Sequence, residues 1–355
     1  MSRSDGERLA DVMHLVGAAR EVVSRRAQWA DEIARTTGLS PEGVELGFTR
    51  HLEIDATEAD VARLVADASR FGDPGAVYVI LSANVFVAPL RAIAIARAAS
   101  ARVVVRPSRR EPTFARALAF VARDPAITLA SDVAYEAIES GEVHVYGRNE
   151  TIAELRARTP AGVGVRGHGA GMGVAILTRD ADLGASAALL ANDVVAFDQR
   201  GCLSPRIALV EGGDARASVL GDALDVALTA LGRQVPRGRL DDDERASAAR
   251  YVEALAFAGR VFRGDDHVVG LAPEGAPLVV PPAGRHVHIA SFADLDALER
   301  ALAPFARFIV AVGTNDAPRV AGVVPAHARL SPLGAMQRPP FDGPVDRRVA
   351  LVTAA

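Results

Sequence analysis

A chain of 355 residues, half of them apolar and 24% charged, is long enough for two domains with a sizeable core, and its net charge of −4 gives no general electrostatic pull towards nucleic acid. One cysteine excludes an internal disulfide; all forty basic residues are arginine, and the missing lysine excludes Schiff-base chemistry, pyridoxal-phosphate attachment and a Walker-type phosphate loop. No apolar run approaches the roughly 20 residues that cross a membrane, and MSRSDGERLADV lacks the apolar stretch of a signal peptide, so the expectation is a cytoplasmic protein without a membrane span.

Apolar residues recur at three-to-four spacing through Leu9, Val12, Met13, Val16, Val22 and Val23, and again through Val61, Leu64 and Val65, which predicts helices over 1–70. From Ala76 short β-branched runs alternate with helical segments. AVYVILSA predicts a buried strand, PLRAIAIARAAS a helix with Pro89 in its first turn, and RVVVRP the next strand. A helix follows from near Pro112, then the strands ITLA and VHVYG and a helix at NETIAELRAR. The second half continues with helix DLGASAALLANDVVAF, strand RIALVEG and helix SVLGDALDVALTALG. RQVPRGRLDDDER predicts an exposed connection. Beyond it come a helix over roughly 244–260, strands VVGLA, LVVPP and VHIAS, helix DLDALERAL and strand RFIVAVG; the Gly/Pro-rich end SPLGAMQRPPFDGPVDRR predicts loop. Alternation of this kind implies an α/β protein with parallel sheets and helices on both faces.

Gly162, Gly164 and Gly167 spell GxGxxG, but the dinucleotide fingerprint needs a strand before it and a helix opening at its end. Here Pro160 closes a helix in front, and Gly169, Gly171 and Gly173 follow, so a glycine-rich strand and tight loop is expected instead.

Cys202 stands in FDQRGCLSPR, between a helix and the strand RIALV. A lone cysteine is usually a small buried apolar residue. Asp198, Gln199, Arg200, Ser204 and Arg206 crowd this one, and Arg200 or a helix terminus is suited to raise its thiolate fraction, which favours a nucleophile.

FDQRGCLSPR resembles the cysteine loop of the aldehyde-dehydrogenase superfamily, and more narrowly that of the LuxC-like acyl-CoA reductases. Three further motifs follow in collinear order over about residues 75–345. SANVFVAPLRAIAIARAASARVVVRPSRREP resembles the superfamily's asparagine loop, helix and ribose-binding strand; VHVYGRNETIAEL its glycine turn; RLSPLGAMQRPPFDGPVDRR the end of the LuxC-like group. The resemblance implies an aldehyde-dehydrogenase-like fold with two Rossmann-like parallel-sheet domains. A cofactor-binding domain is expected over 1–178, a catalytic domain carrying Cys202 over 179–318, and a segment over 319–355 returning to the cofactor domain or a partner subunit.

The same resemblance implies roles. Cys202 attacks the acyl carbonyl, and Asn84 donates its side-chain amide, with the nucleophile's backbone N–H, to the oxyanion. Arg106 stands where a lysine usually holds the adenosine ribose. Arg109 stands where NAD-preferring relatives often carry glutamate, and an arginine there suits a 2′-phosphate. Ser108 lies between them, while Gly147 and Arg148 precede a helix whose N-terminus faces the pyrophosphate. The cofactor implied is NADPH.

Two departures from the family pattern stand out. Between Thr159 and Leu177 no Asp or Glu occurs, so the water-activating glutamate of hydrolytic relatives is missing. Counting back from Asp180-Ala-Asp182 puts His168 near its place, either as a general acid or as a histidine in a tight loop. The Glu-x-Phe-Gly-Pro motif that grips the nicotinamide ribose is not recognisable around PPAGRHVHI. The implied reaction is reduction of an acyl thioester, on CoA or acyl carrier protein, to an aldehyde. The rivals are an aldehyde or acyl-phosphate oxidoreductase of the same superfamily and a non-catalytic binding protein. No metal is expected: His286-x-His288 shares a strand face and His267 or His327 stands by, but no cysteine or carboxylate ligand occurs at motif spacing. No nucleic-acid partner is expected, and homo-oligomer formation is left open.

Overall fold

Capping boxes and an N-terminal proline start several of the helices. In the computed structural model, which describes residues 3–70, 72–273, 275–348 and 351–352, α1 (Asp5–Ser24) begins behind Ser4, which accepts from the Glu7 N–H while the Glu7 carboxylate accepts from Ser4. After α2 (Ala30–Thr37) and α3 (Pro41–Leu46), Thr57 and Asp60 form the same box for α4 (Glu58–Ser69). Then come β1 (Val77–Ile80), α5 (Pro89–Ala99) with proline at its start, β2 (Val103–Arg106), α6 (Thr113–Ala122), β3 (Ile127–Leu129), β4 (Glu142–Tyr146), α7 (Asn149–Arg158) and β5 (Gly164–His168). The chain continues through β6 (Met172–Leu177), α8 (Leu183–Val195), β7 (Pro205–Glu211), α9 (Asp214–Gln234) and α10 (Asp242–Ala258), the last capped by Asp241 and Glu244. It ends with β8 (Arg260–Arg263), β9 (Val268–Leu271), β10 (His286–Phe292), α11 (Leu295–Leu302), β11 (Ile309–Thr314), α12 (Ala317–Val320), β12 (Arg329–Pro332) and β13 (Leu351–Val352).

These elements form two units, one of Met1–Thr37, Gly47–Ala170 and Pro340–Ala355, the other of Gly38–Leu46 and Gly171–Pro339. The first contains a sheet of order β13-β5-β4-β1-β2-β3, parallel except for β13. Tyr78, Ile80, Val104, Val143, Val145 and Val165 present one face to Tyr135, Ile138 and α7. Val77 and Val79 are fully buried on the other face, where α5 lies against β1 and β2. The order reverses at β1/β4, the point where open parallel sheets bind ligands.

The second unit's sheet runs β12-β11-β6-β7-β10-β9-β8, parallel except for β8. One face buries Ala175, Leu177, Ala208 and Val210 under α8 and α9. The other buries Val174, Ile176, Ile207 and Leu209 with Leu298, Leu302 and Val320 of α11 and α12. The α/β architecture expected, two parallel sheets with helices on both faces, is the one found.

Two local expectations are corrected and one strand is added. LVVPP is not a strand: Pro281 and Pro282 offer no N–H, and Val279 and Val280 are 40% and 41% exposed. RVFR, unassigned above, forms the antiparallel edge strand β8. The RQVPRGR connection is more than an exposed link, because Val235 is buried and the Gly238 N–H bonds Asp198 Oδ2 at 2.9 Å.

Candidate functional site

The segment before Cys202 has an unusual backbone. Phe197, Asp198 and Gln199 all have positive φ (53°, 51° and 64°), a region that costs a non-glycine residue about 1 kcal/mol or more. Buried polar contacts hold the segment there. Asp198, 1% exposed, ion-pairs with Arg285 at 2.7 Å, and its backbone oxygen accepts from Gly284 N–H at 3.1 Å. Arg285 is itself left-handed (φ 68°) and donates to Val235 O at 2.7 Å. The fully buried Gln199 amide donates to Pro205 O (2.6 Å) and His286 O (2.8 Å) and accepts from His286 N–H (2.8 Å). Arg200 bonds both carboxylate oxygens of Glu244, the α10 capping residue, at 3.1 Å.

Cys202 is half-buried in the turn closed by Ser204 N–H to Gly201 O (3.2 Å), directly before β7. Gly173 lies beneath this turn: its N–H bonds Ser204 O at 2.9 Å, and a Cβ there would stand 2.2 Å from Leu203 O. Asp193 of α8 accepts from Gly334 (2.6 Å) and Met336 (2.9 Å), in the stretch that brings Gln337 to 3.5 Å from Ser204 Oγ. Burial pushes the Asp193 carboxyl up to about 7 against these hydrogen bonds. Arg206, on β7, is pushed down to about 10 by burial and donates to Pro281 O at 2.9 Å.

The residues expected to bind cofactor, with Asn84 and His168, sit in the first unit, at or just beyond the C-terminal ends of β1, β2, β4 and β5. Asn84 is exposed in the loop after β1. Arg106 ends β2. Ser108 Oγ accepts from Arg110 N–H at 3.2 Å, and Arg109 is exposed beside it. Gly147 and Arg148 lead into α7, whose N-terminus has no side-chain cap because the N-cap residue, Arg148, carries no acceptor, and Asn149 Oδ1 accepts from Ala170 N–H at 3.0 Å. That leaves helix N–H donors for an anion. Val104 and Arg106 share a sheet face, and Val104 packs on the apolar cluster that includes Tyr135. Arg106 Nε and Tyr135 Oη are both buried without a hydrogen-bond partner among the described residues. Such a pair fits a phosphate or ribose oxygen.

His168 ends β5, its ring stacked on Tyr146 (centroids 4.4 Å apart, planes at 11°). Burial pushes its pKa down to about 4, with Asp346 pulling the other way, so the ring is neutral at pH 7. Behind it on the same strands, Glu142 accepts from Arg166 Nε at 2.8 Å and lies 3.0 Å from His144 Nε2, and these partners outweigh burial to hold its carboxyl near 2. Sequence reasoning missed Glu142, Tyr146 and Arg166, although the polar period of two in Glu142-Val-His-Val-Tyr146 marks a polar strand face. The glycines of the false fingerprint serve packing: a Cβ on Gly167 would lie 2.5 Å from Ile152, and one on Gly169 2.2 Å from Asn149. His267 pairs with Asp225 (2.8 Å) and His327 with Ile309 O (3.0 Å). Among the described residues no three His, Cys, Asp or Glu side chains are grouped to hold a metal, and no helix is long and apolar enough to cross a membrane.

A model of the acyl-CoA reductase family LuxC matches residues 67–319. No curated protein matches the sequence. An aldehyde dehydrogenase of Mycobacterium tuberculosis complexed with NAD+ superposes with a TM-score of 0.69 at 17% identity, over 93% of this chain and 77% of that one. An oxidoreductase from Marinobacter aquaeolei gives 0.69 at 16% identity over 93% and 78%. The NADP-dependent glyceraldehyde-3-phosphate dehydrogenase of Bacillus halodurans C-125, complexed with NADP, gives 0.66 at 15% over 93% and 78%. Identities this low establish the fold and nothing finer.

Proposed function

The chain belongs to the LuxC acyl-CoA reductase family, and from that premise we propose that it reduces an acyl thioester to an aldehyde with NADPH, through an acyl group carried on Cys202. The observation that carries the proposal is the cysteine turn. Three consecutive left-handed residues, a buried Asp198–Arg285 pair and the Gln199 amide fix the backbone ahead of the chain's one thiol. Such strain concentrates where a side chain must be aimed.

In the proposed reaction the Cys202 thiolate attacks the thioester carbonyl, the bond to the carrier sulfur breaks, and that sulfur leaves as a thiol after taking a proton. Asn84 supplies a neutral hydrogen-bond donor to the oxyanion, for which such a group is typically worth about 3 kcal/mol. NADPH, when bound, supplies the hydride. Arg106 holds its adenosine ribose and Arg109 its 2′-phosphate, supported by Arg106 Nε and Tyr135 Oη, which are buried without a hydrogen-bond partner among the described residues, with Ser108 in the same loop. Gly147 and Arg148 bring the uncapped N-terminus of α7 to its diphosphate. Collapse of the tetrahedral species expels the aldehyde and restores the Cys202 thiolate. His168, neutral at pH 7, acts by donating a ring N–H to the developing oxyanion. With no carboxylate between Thr159 and Leu177, hydrolysis of the acyl-enzyme is negligible.

The test is mass spectrometry of the protein after incubation with acyl-CoAs of several lengths, followed by product analysis on adding NADPH. An acyl adduct lost in Cys202→Ala and converted to aldehyde supports the proposal. Adducts that persist in Cys202→Ala, or carboxylic acid as the main product, overturn it.

A further inference from the structure

Between the N-terminal half of α10 and the first residues of β9 and β10, the second unit holds a cavity of about 500 Å³ lined by its own residues alone. Its walls include Leu240, Ala248, Val252 and Val268. His286 lines it too, 2% exposed, and neither Nδ1 nor Nε2 has a hydrogen-bond partner among the described residues. The two neighbouring imidazoles differ: His288 Nδ1 lies 3.3 Å from Tyr251 Oη and His267 Nε2 2.8 Å from Asp225. Burial, with Arg237 and Arg206 nearby, pushes His286 down to about 4, so the ring is neutral and presents one donor and one acceptor.

The mouth is charged. Arg237, Arg245 and Arg263 line it with Glu253 and Asp265. Arg237 pairs with Asp266 at 3.7 Å and Arg245 with Asp242, while Arg263 stands exposed at the end of β8. The cavity is joined to the reactive thiol's loop: Gln199, three residues before Cys202, bonds the backbone N–H and C=O of His286.

We propose that this cavity receives the phosphopantetheine arm of the acyl carrier. An arm amide can either accept the His286 ring N–H through its C=O or donate its N–H to the bare ring nitrogen, its methylene and methyl groups lie on the apolar walls, and its phosphate meets Arg245 and Arg263. The inference rests on the acyl-thioester reading given above. CoA and acyl carrier proteins share this arm, so the chemistry is common to both sources.

Calorimetric titration of the full chain with 4′-phosphopantetheine and with unphosphorylated pantetheine tests binding without any reaction. Binding of both, weakened at least about tenfold in His286→Phe, and weakened in Arg263→Glu for the phosphorylated probe alone, supports the proposal. Ala248→Phe fills the cavity from the helix side and should act like His286→Phe if that variant misfolds. In kinetics, His286→Phe should raise KM for acyl-CoA at least about tenfold and leave acylation by an acyl-N-acetylcysteamine thioester, which lacks most of the arm, within about twofold. Titrating CoA and a holo acyl carrier protein separates the sources: the one whose affinity falls in His286→Phe is the donor. No binding of either probe, affinities unchanged in all three variants, or equal loss with both thioesters overturns the proposal. If no thioester acylates Cys202, the reductase reading fails while the calorimetry still decides the cavity.

Discussion

At the residue scale the side chains with least internal employment are the informative ones. Arg106 Nε and Tyr135 Oη are buried without a hydrogen-bond partner among the described residues, and Arg109 is exposed in the loop after β2. Replacing Arg109 with Glu should narrow or reverse a preference for NADPH by about 1–3 kcal/mol, the worth of a charge-assisted contact. Equal turnover of NADPH and NADH by the wild-type protein would return these arginines to surface charge. His168 is neutral at pH 7, so its contribution to hydride transfer should stay level from pH 8 to 6 and change only on approach to about 4, where the ring gains a proton and a second N–H donor. Loss of the ring in His168→Ala should slow aldehyde formation by about 10²-fold while acylation of Cys202 changes much less. Single-turnover rates for the two half-reactions decide this, and equal loss in both would make His168 a shaping residue only.

At the scale of elements, the turn that carries Cys202 depends on partners remote in sequence. Asp198→Ala leaves the 2%-exposed Arg285 without its carboxylate, and breaking such a pair costs about 3–5 kcal/mol. Urea unfolding should show that loss, and acylation should slow with it because Phe197–Gln199 are released from the left-handed region. An unchanged urea midpoint would mean the pair does not support the turn. Gly173→Ala acts from below: its Cβ meets a backbone oxygen at 2.2 Å, so the cysteine turn must shift rather than a side chain rotate. It should lower the acylation rate even at temperatures where the protein stays folded, and a wild-type rate would refute the contact's importance.

Across the whole molecule, buried imidazoles set the response to acid. His168, His286 and His288 are each pushed from 6.5 to about 4, so unfolding between those values takes up a proton at each. Asp193 works the other way, since its folded pKa near 7 lies above the unfolded 3.8 and the folded state holds the extra proton. Burial lowers His144 as well and raises Glu111, and the lowered imidazoles outnumber the raised carboxyls, so unfolding takes up protons on balance and stability falls as pH drops from 6 to 4.5. Urea midpoints at pH 7.5, 6 and 5 measure this; a midpoint that holds or rises on acidification contradicts it.

The sequence by itself determined the α/β class, the order of nearly all helices and strands, and the family, because hydrophobic period, capping residues and collinear motifs are local signals. It also exposed the GxGxxG run as a decoy, since the residues on either side cannot make the strand and helix that a phosphate fingerprint needs. The edge strand RVFR escaped it and LVVPP misled it, because a short apolar run does not say whether a neighbour supplies hydrogen bonds. Only the tertiary structure decided how Cys202 is held. Asp198 meets Arg285, Gln199 meets His286, and Gly173 meets Leu203 across long stretches of chain, and no periodicity records such pairings. The same holds for the ring nitrogens of His286, which have no hydrogen-bond partner among the described residues. A histidine in a strand looks like any other until every atom around it is known, because hydrogen-bond satisfaction is a property of packing and not of composition.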